Sequence, residues 1–110
     1  MITWSDFEKL DMRVGTIITA APFPQARKKA YKLVIDFGAG LGLKSSSAQI
    51  TDRYALEQLE GMQVIAVVNF PPKQIATFIS ECLVLGIYAA DGSVVLLQPQ
   101  QKVANGLKIG

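Results

Sequence analysis

Residues 62–70, MQVIAVVNF, make a strand-length run that is apolar almost throughout and stops at Pro71 and Pro72. Successive residues of a β-strand point to opposite sides, so such a run needs cover on both faces. The stretch 82–88, CLVLGIY, has the same character. The chain has 110 residues, half of them hydrophobic. A domain of this size has much surface and little interior. Some apolar area must therefore lie outside its own core, and exposed apolar area usually marks a partner surface. The expectation is a homo-oligomer, with one face of these strands filling a barrel and the other covered by a terminal helix or a second subunit.

The remaining elements are short. Thr3 and Ser5 are candidate caps of an N-terminal helix, followed three residues on by Asp6 and Glu8, as in a capping box. Trp4, Phe7 and Leu10 share its apolar face. The helix is too short to stand alone and must dock on its own barrel or on another subunit. MRVGTIIT (12–19) alternates, with Met12, Val14, Thr16 and Ile18 on one side, and Gly15 suggests a bend or bulge. AYKLVIDFG (30–38) and LKSSSAQI (43–50) read as strands joined by a glycine hairpin. TDRYALEQLEG (51–61) reads as a helix capped by Thr51 or Asp52, with Tyr54, Leu56 and Leu59 inward and Gly61 at its end. Residues 82–99 form a hairpin across an Ala-Asp-Gly turn. Five or six short strands with one helical insert predict an all-β domain with short helices over residues 1–110. The pattern fits a five-stranded Greek-key barrel of the OB type, with an SH3-like barrel or an open sandwich as alternatives.

No catalytic constellation is present. The chain has no histidine and one cysteine, Cys82. That leaves no imidazole base, no Ser-His or Cys-His pair and no thiolate metal cluster. GAGLG (38–42) lies between two strands and reads as a turn rather than a phosphate loop. A binding module is expected rather than an enzyme, with no cofactor and no metal. Cys82 is expected to be a buried thiol, which suits a reducing cytoplasm. The N-terminus is too polar for a signal peptide. No run approaches the ~20 apolar residues needed to cross a bilayer.

Net charge is only +2. Arg27, Lys28, Lys29 and Lys32 surround the first loop, and Lys44, Arg53 and Lys73 lie near strand ends. They form either a solvated face or a phosphate-contacting rim. KSSSAQIT (44–51) makes a polar strip, either an exposed sheet edge or the lining of a groove. In VVNFPPKQIATFISE (67–81) neither proline can donate to a ladder, so pairing ends there and the exit is rigid. That exit would present Lys73, Ile75 and Phe78 together.

DMRVGTI (11–17), KSSSAQIT (44–51), VVNFPPKQI (67–75), SECLVLG (80–86), VVLLQP (94–99) and VANGLKIG (103–110) together resemble, in order and over nearly the whole chain, the CsaA-type export chaperones. These are homodimeric OB-fold proteins within the larger tRNA-binding-domain group. The resemblance implies strand and helix extensions used for dimerisation, with Trp4, Phe7, Leu10, Leu83 and Leu85 as interface candidates. It implies a cytoplasmic homodimer that binds unfolded or precursor polypeptides in protein export. Asn69, Gln49, Ser46, Ser47 and Ser80 would answer a bound backbone. Ile75 and Phe78 would meet apolar side chains, and Lys44, Arg53 and Lys73 acidic or C-terminal ends. The alternative is a structure-specific tRNA-binding module using the same face. In the tRNA-binding relatives the block matching KSSSAQI ends serine-glycine-isoleucine, where this chain has Ala48 and Gln49 before Ile50. A glycine-methionine pair stands there in place of Glu81 and Cys82. The proline loop departs from the chaperone pattern at Gln74, Thr77 and Ile79, which makes it less cationic and more apolar.

Overall fold

The computed structural model describes residues 1–110. Its elements are α1 (Trp4–Glu8), β1 (Met12–Pro22), β2 (Tyr31–Asp36), β3 (Leu43–Ala48), α2 (Leu56–Leu59), β4 (Gln63–Val67), β5 (Lys73–Ile75), β6 (Phe78–Ser80), β7 (Leu83–Val84), β8 (Gly86–Tyr88) and β9 (Val94–Leu96). Five antiparallel strands run in the order β3-β2-β1-β4-β7. The residues just before β7 return to β3, where the Glu81 N–H donates to the Ser45 carbonyl at 2.8 Å. The sheet thereby becomes a nearly closed barrel of OB type. Two hairpins, β5-β6 and β8-β9, stand apart from it. No helix is long and apolar enough to cross a membrane.

β1 organises the barrel. Its first half pairs with β4, from Met12 opposite Val67 to Thr16 opposite Gln63. Its second half pairs with β2, from Thr16 opposite Asp36 to Pro22 opposite Tyr31. The edge of β1 that β2 leaves free is taken by the C-terminal tail. There Val14 N–H donates to Leu107 O, Gly106 N–H to Val14 O and Ile109 N–H to Met12 O. Thr16 and Gln63 fix the tail further, through Asn105 and the Val103 backbone.

The core holds Ile17, Leu33, Ile35 and Phe37 with Leu59, Val64, Ala66 and Leu96. Gly15 belongs to this inner face: a Cβ there would meet Ile35 Cγ2 at 2.6 Å and Phe37 ring carbons at 2.7 and 2.8 Å. The absence of a side chain lets β1 lie against Phe37. The alternation expected over 12–19 therefore needs correction. Met12 and Val14 are buried outside the central cluster, Ile17 is inside, and Ile18 is exposed. The cause is a bulge. Ile17 opposes Ile35 and Thr19 opposes Val34, so Ile18 has no partner, and a bulged residue breaks the face pattern. The expected irregularity exists, but at Ile18, three residues beyond Gly15.

Local rules settle other parts. Thr3 caps α1: its Oγ1 accepts from Asp6 N–H at 3.2 Å, and its own N–H donates to Asp6 Oδ2 at 3.0 Å. These bonds hold the Asp6 carboxyl below its ordinary value. The GAGLG segment turns β2 into β3 with left-handed backbone at Gly38 and Gly42, as a hairpin requires. The helix expected over 51–61 shrinks to Leu56–Leu59. Neither Thr51 nor Asp52 caps it. The cap position is Ala55, whose N–H donates to Gln58 Oε1 at 2.7 Å. Tyr54 is drawn into tertiary bonds instead, its carbonyl accepting from Tyr31 Oη and its hydroxyl from Leu96 N–H.

Of the two doubly apolar runs, β4 is buried at four of its five positions. The second run splits into β7 and β8 and leaves Leu83, Ile87 and Tyr88 exposed. Trp4, at 83% exposure, adds to this uncovered apolar surface.

Candidate functional site

β3 alternates as a strand should. Ser46 and Ala48 are buried, and Ser45 and Ser47 are half-buried. The Ser46 hydroxyl is fully inside and donates to the Cys82 carbonyl at 3.0 Å. Ser46 was expected to answer a ligand and is instead a core fastening, because its parity along β3 turns it inward. The open edge of β3 is stitched to residues 80–82 largely by side chains. Ser45 N–H donates to Glu81 Oε1 at 3.0 Å, and Ser47 N–H donates to Ser80 Oγ at 3.1 Å. Ser80 thus also has a structural partner. Lys44, at the start of the strand, is half-buried, and Gln49 beyond its end is exposed.

The proline exit leads into the β5-β6 hairpin, in which Lys73 opposes Ser80 and Ile75 opposes Phe78. A connection was expected here; the segment is a hairpin with a two-residue tip. Ala76 at the tip has φ +53, a backbone region costly for a residue with a Cβ. Its carbonyl accepts from Gln74 Nε2. Phe78 meets Phe23 edge to face, ring centroids 5.3 Å apart. Lys32 Nζ lies 4.8 Å from the Phe23 centroid and 5.5 Å from that of Phe78. Such an aromatic pair contributes about 0.5–1.5 kcal/mol beyond its buried area. The contacts pin the hairpin to the loop that carries Arg27, Lys28 and Lys29. Ile75 and Phe78 are half-buried rather than free, while Ile79 is exposed.

Between the hairpin stem and β7 lies an open pocket of about 390 Å³, lined by Phe70, Pro71, Lys73, Ser80, Glu81, Cys82 and Leu83. Its surface is chiefly apolar, with one cation and one carboxylate. The Cys82 thiol is free and buried. Burial pushes its pKa up to about 11, against a smaller downward pull from a Ser46 hydrogen bond and from Lys44. The thiol is therefore neutral and poorly nucleophilic near neutral pH.

Of the predicted binding residues only Lys73 and Ser80 line this pocket, and Arg53 and Asn69 are engaged elsewhere. Arg53 donates to Ser93 Oγ at 2.7 Å and lies 4.0 Å from Asp91, by the β8-β9 turn. Asn69 accepts from Asp11 N–H at 3.0 Å and donates to the Lys9 carbonyl at 2.7 Å. It ties the end of α1 to the end of β4. Among the interface candidates Trp4 and Leu83 are exposed, and Phe7, Leu10 and Leu85 are half-buried against their own chain. Sequence reasoning left Phe23 and Glu81 out of the site. An aromatic framed by Pro22 and Pro24 was the available signal for Phe23. Glu81 gave none, because its partner lies 36 residues away.

A sequence model described as a putative tRNA binding domain matches residues 12–108. The crystal structure of chaperone CsaA from Bacillus anthracis is 55% identical, with TM-score 0.94, covering all of this chain and 99% of that one. The CsaA chaperone protein from Picrophilus torridus is likewise 55% identical, with TM-score 0.94 and full coverage of both chains. A methionine–tRNA ligase from Porphyromonas gingivalis is 36% identical over 108 residues. This chain spans only 15% of that ligase's length.

Proposed function

The chain belongs to the putative tRNA-binding-domain family, in its CsaA-type branch, and from that premise we propose that it is a non-enzymatic, homodimeric chaperone for unfolded or precursor polypeptides. The observation that carries this reading is the apolar pocket between the proline exit and β7. Phe70, Pro71 and Leu83 offer an apolar wall large enough for a bulky side chain. Lys73 stands at its edge, with Ser47 on β3 and the exposed Gln49 just beyond that strand for polar contacts to a peptide. Pockets that take alternate side chains of an extended segment are a general way of holding peptide. The exposed surface around Trp4 suits a second copy of the chain, with Phe7, Leu10 and Leu85 behind it, while Leu83 is left to the pocket. The proposed setting is the cytoplasm, before export.

The test is titration with fluorescent unfolded peptides, alongside suppression of aggregation of a chemically denatured client. Saturable binding that is lost on Phe70→Asp supports the proposal. No saturable binding by the wild type, together with no suppression of aggregation, refutes it.

A second reading is tRNA binding, supported by the family match and by the cations Lys44 and Lys73 with the Arg27–Lys29 loop. It predicts retention of tRNA that falls steeply with salt, because phosphate contacts release counterions. Retention that does not change between low and moderate salt counts against it.

A further inference from the structure

Glu81 is more than a fastening. Its Oε1 accepts from Ser45 N–H, and its own N–H donates to Ser45 O. The carboxylate is thereby fixed at the seam and lines the pocket that also contains Lys73. Lys44 directly precedes Ser45 on β3, so the seam that holds the carboxylate adjoins one cation of this face and the pocket it lines contains the other. No cation pairs with it; the ion pairs of the chain are Lys9–Asp6, Arg13–Asp11 and Arg53–Asp91. The seam itself does not require a charge. Two residues along β3, the neutral Ser80 hydroxyl does the same work for Ser47 N–H. A negative charge is thus held, without an ion-pair partner, in the wall of the pocket that Lys73 also lines.

We propose that Glu81 is a specificity residue: its fixed carboxylate excludes nucleic-acid phosphate from the Lys44–Lys73 face while leaving that face open to a polypeptide. An uncharged peptide backbone is indifferent to the carboxylate. A phosphodiester chain meets a repulsion that cancels much of the attraction of the two lysines. The inference deepens the polypeptide reading and rests on it.

The isosteric variant Glu81→Gln keeps an oxygen to accept from Ser45 N–H and removes the charge. Binding of a tRNA transcript at low salt is compared among the wild type, Glu81→Gln and Glu57→Gln. Glu57 is an exposed α2 residue outside this face, and its variant makes the same change in net charge. Glu81→Gln is expected to bind tRNA about fivefold more tightly than the wild type, the effect of roughly one unit charge at contact distance in water. Glu57→Gln should shift affinity far less. Equal shifts in both variants, or no shift in Glu81→Gln with an unchanged melting temperature, overturn the proposal. A parallel peptide titration of the wild type keeps the two readings apart. Peptide binding without a tRNA gain in Glu81→Gln defeats the exclusion alone. A tRNA gain without wild-type peptide binding defeats the polypeptide reading alone.

Discussion

Gly15→Ala should destabilise the barrel although it adds only one methyl group. That methyl would stand 2.6 Å from Ile35 Cγ2 and 2.7 and 2.8 Å from two carbons of the Phe37 ring. Both neighbours are fully buried, so neither can swing into solvent. Overpacking of this kind typically costs about 1–3 kcal/mol. Replacing glycine by alanine also restricts the unfolded chain, which returns about 0.4–1 kcal/mol. The net expectation is a loss of about 1–2 kcal/mol. At ~4–8 °C per kcal/mol for a domain near this size, melting should fall by about 5–15 °C. Urea unfolding at one fixed protein concentration should show a lower midpoint at unchanged slope. Gly40→Ala is the matched control, because a Cβ there meets nothing within 4 Å; it should be neutral or mildly stabilising. Adding Phe37→Leu to Gly15→Ala should recover part of the loss, so that the double variant is less damaged than the sum of the singles. A midpoint equal to or above the wild type in Gly15→Ala would show that β1 does not lie against Phe37 as described.

Raising the pH should weaken the fold through Cys82. Its folded pKa is about 11 against an ordinary 9.0, so the unfolded chain loses this proton first, and stability declines between about pH 9 and 11 by at most ~2–3 kcal/mol. Cys82→Ala should flatten that part of the pH profile, and identical profiles in both proteins would exclude the thiol as the cause. Asn69→Ala should cost about 1–2 kcal/mol by breaking two hydrogen bonds, and should raise hydrogen exchange at Asp11 selectively; protection unchanged at Asp11 would contradict the tie between α1 and β4. Trp4 is the only tryptophan and is exposed in the single chain. In the proposed homodimer Trp4 lies at the interface, so its emission should shift to the red on dilution through a monomer–dimer transition followed by light scattering. Constant emission across that transition would remove Trp4 from the interface.

Where one residue's chemistry acts on its near neighbours, the fold was legible in advance. Thr3 could be named as a cap because Asp6 stands three residues on, and GAGLG as a turn because two strands flank it. The five strands of the barrel followed from the same kind of reading, and the β5-β6 hairpin did not. Ile18 was misplaced because a bulge adds one residue to β1 without any mark in the alternation. The helix at 51–61 was overextended because Tyr54 is engaged by Tyr31 and Leu96, and such distant partners override local propensity. The site was legible only in outline. Lys73 and the proline exit do stand at the pocket. Ser46 turned inward, and Asn69 spends its amide on residues 58 and 60 positions away. Polar residues on a short strand look alike in sequence whether they face a ligand or close a seam.

The tail that pairs with β1 brings the chain nearly full circle. Ile109 N–H reaches Met12 O, so the last residues lie beside the strand with which the barrel begins. A linker from Gly110 to the N-terminus would join the ends, and new ends could be cut in the exposed turn at Asp91–Gly92, since exposed tips tolerate such cuts. In the permuted protein the tail would lead through the linker and α1 into β1, and its pairing would change from a contact between opposite ends of the chain into one closed by a much shorter loop. Local contacts close faster than distant ones. The order in which the barrel assembles would then shift toward β1, while the architecture stayed the same.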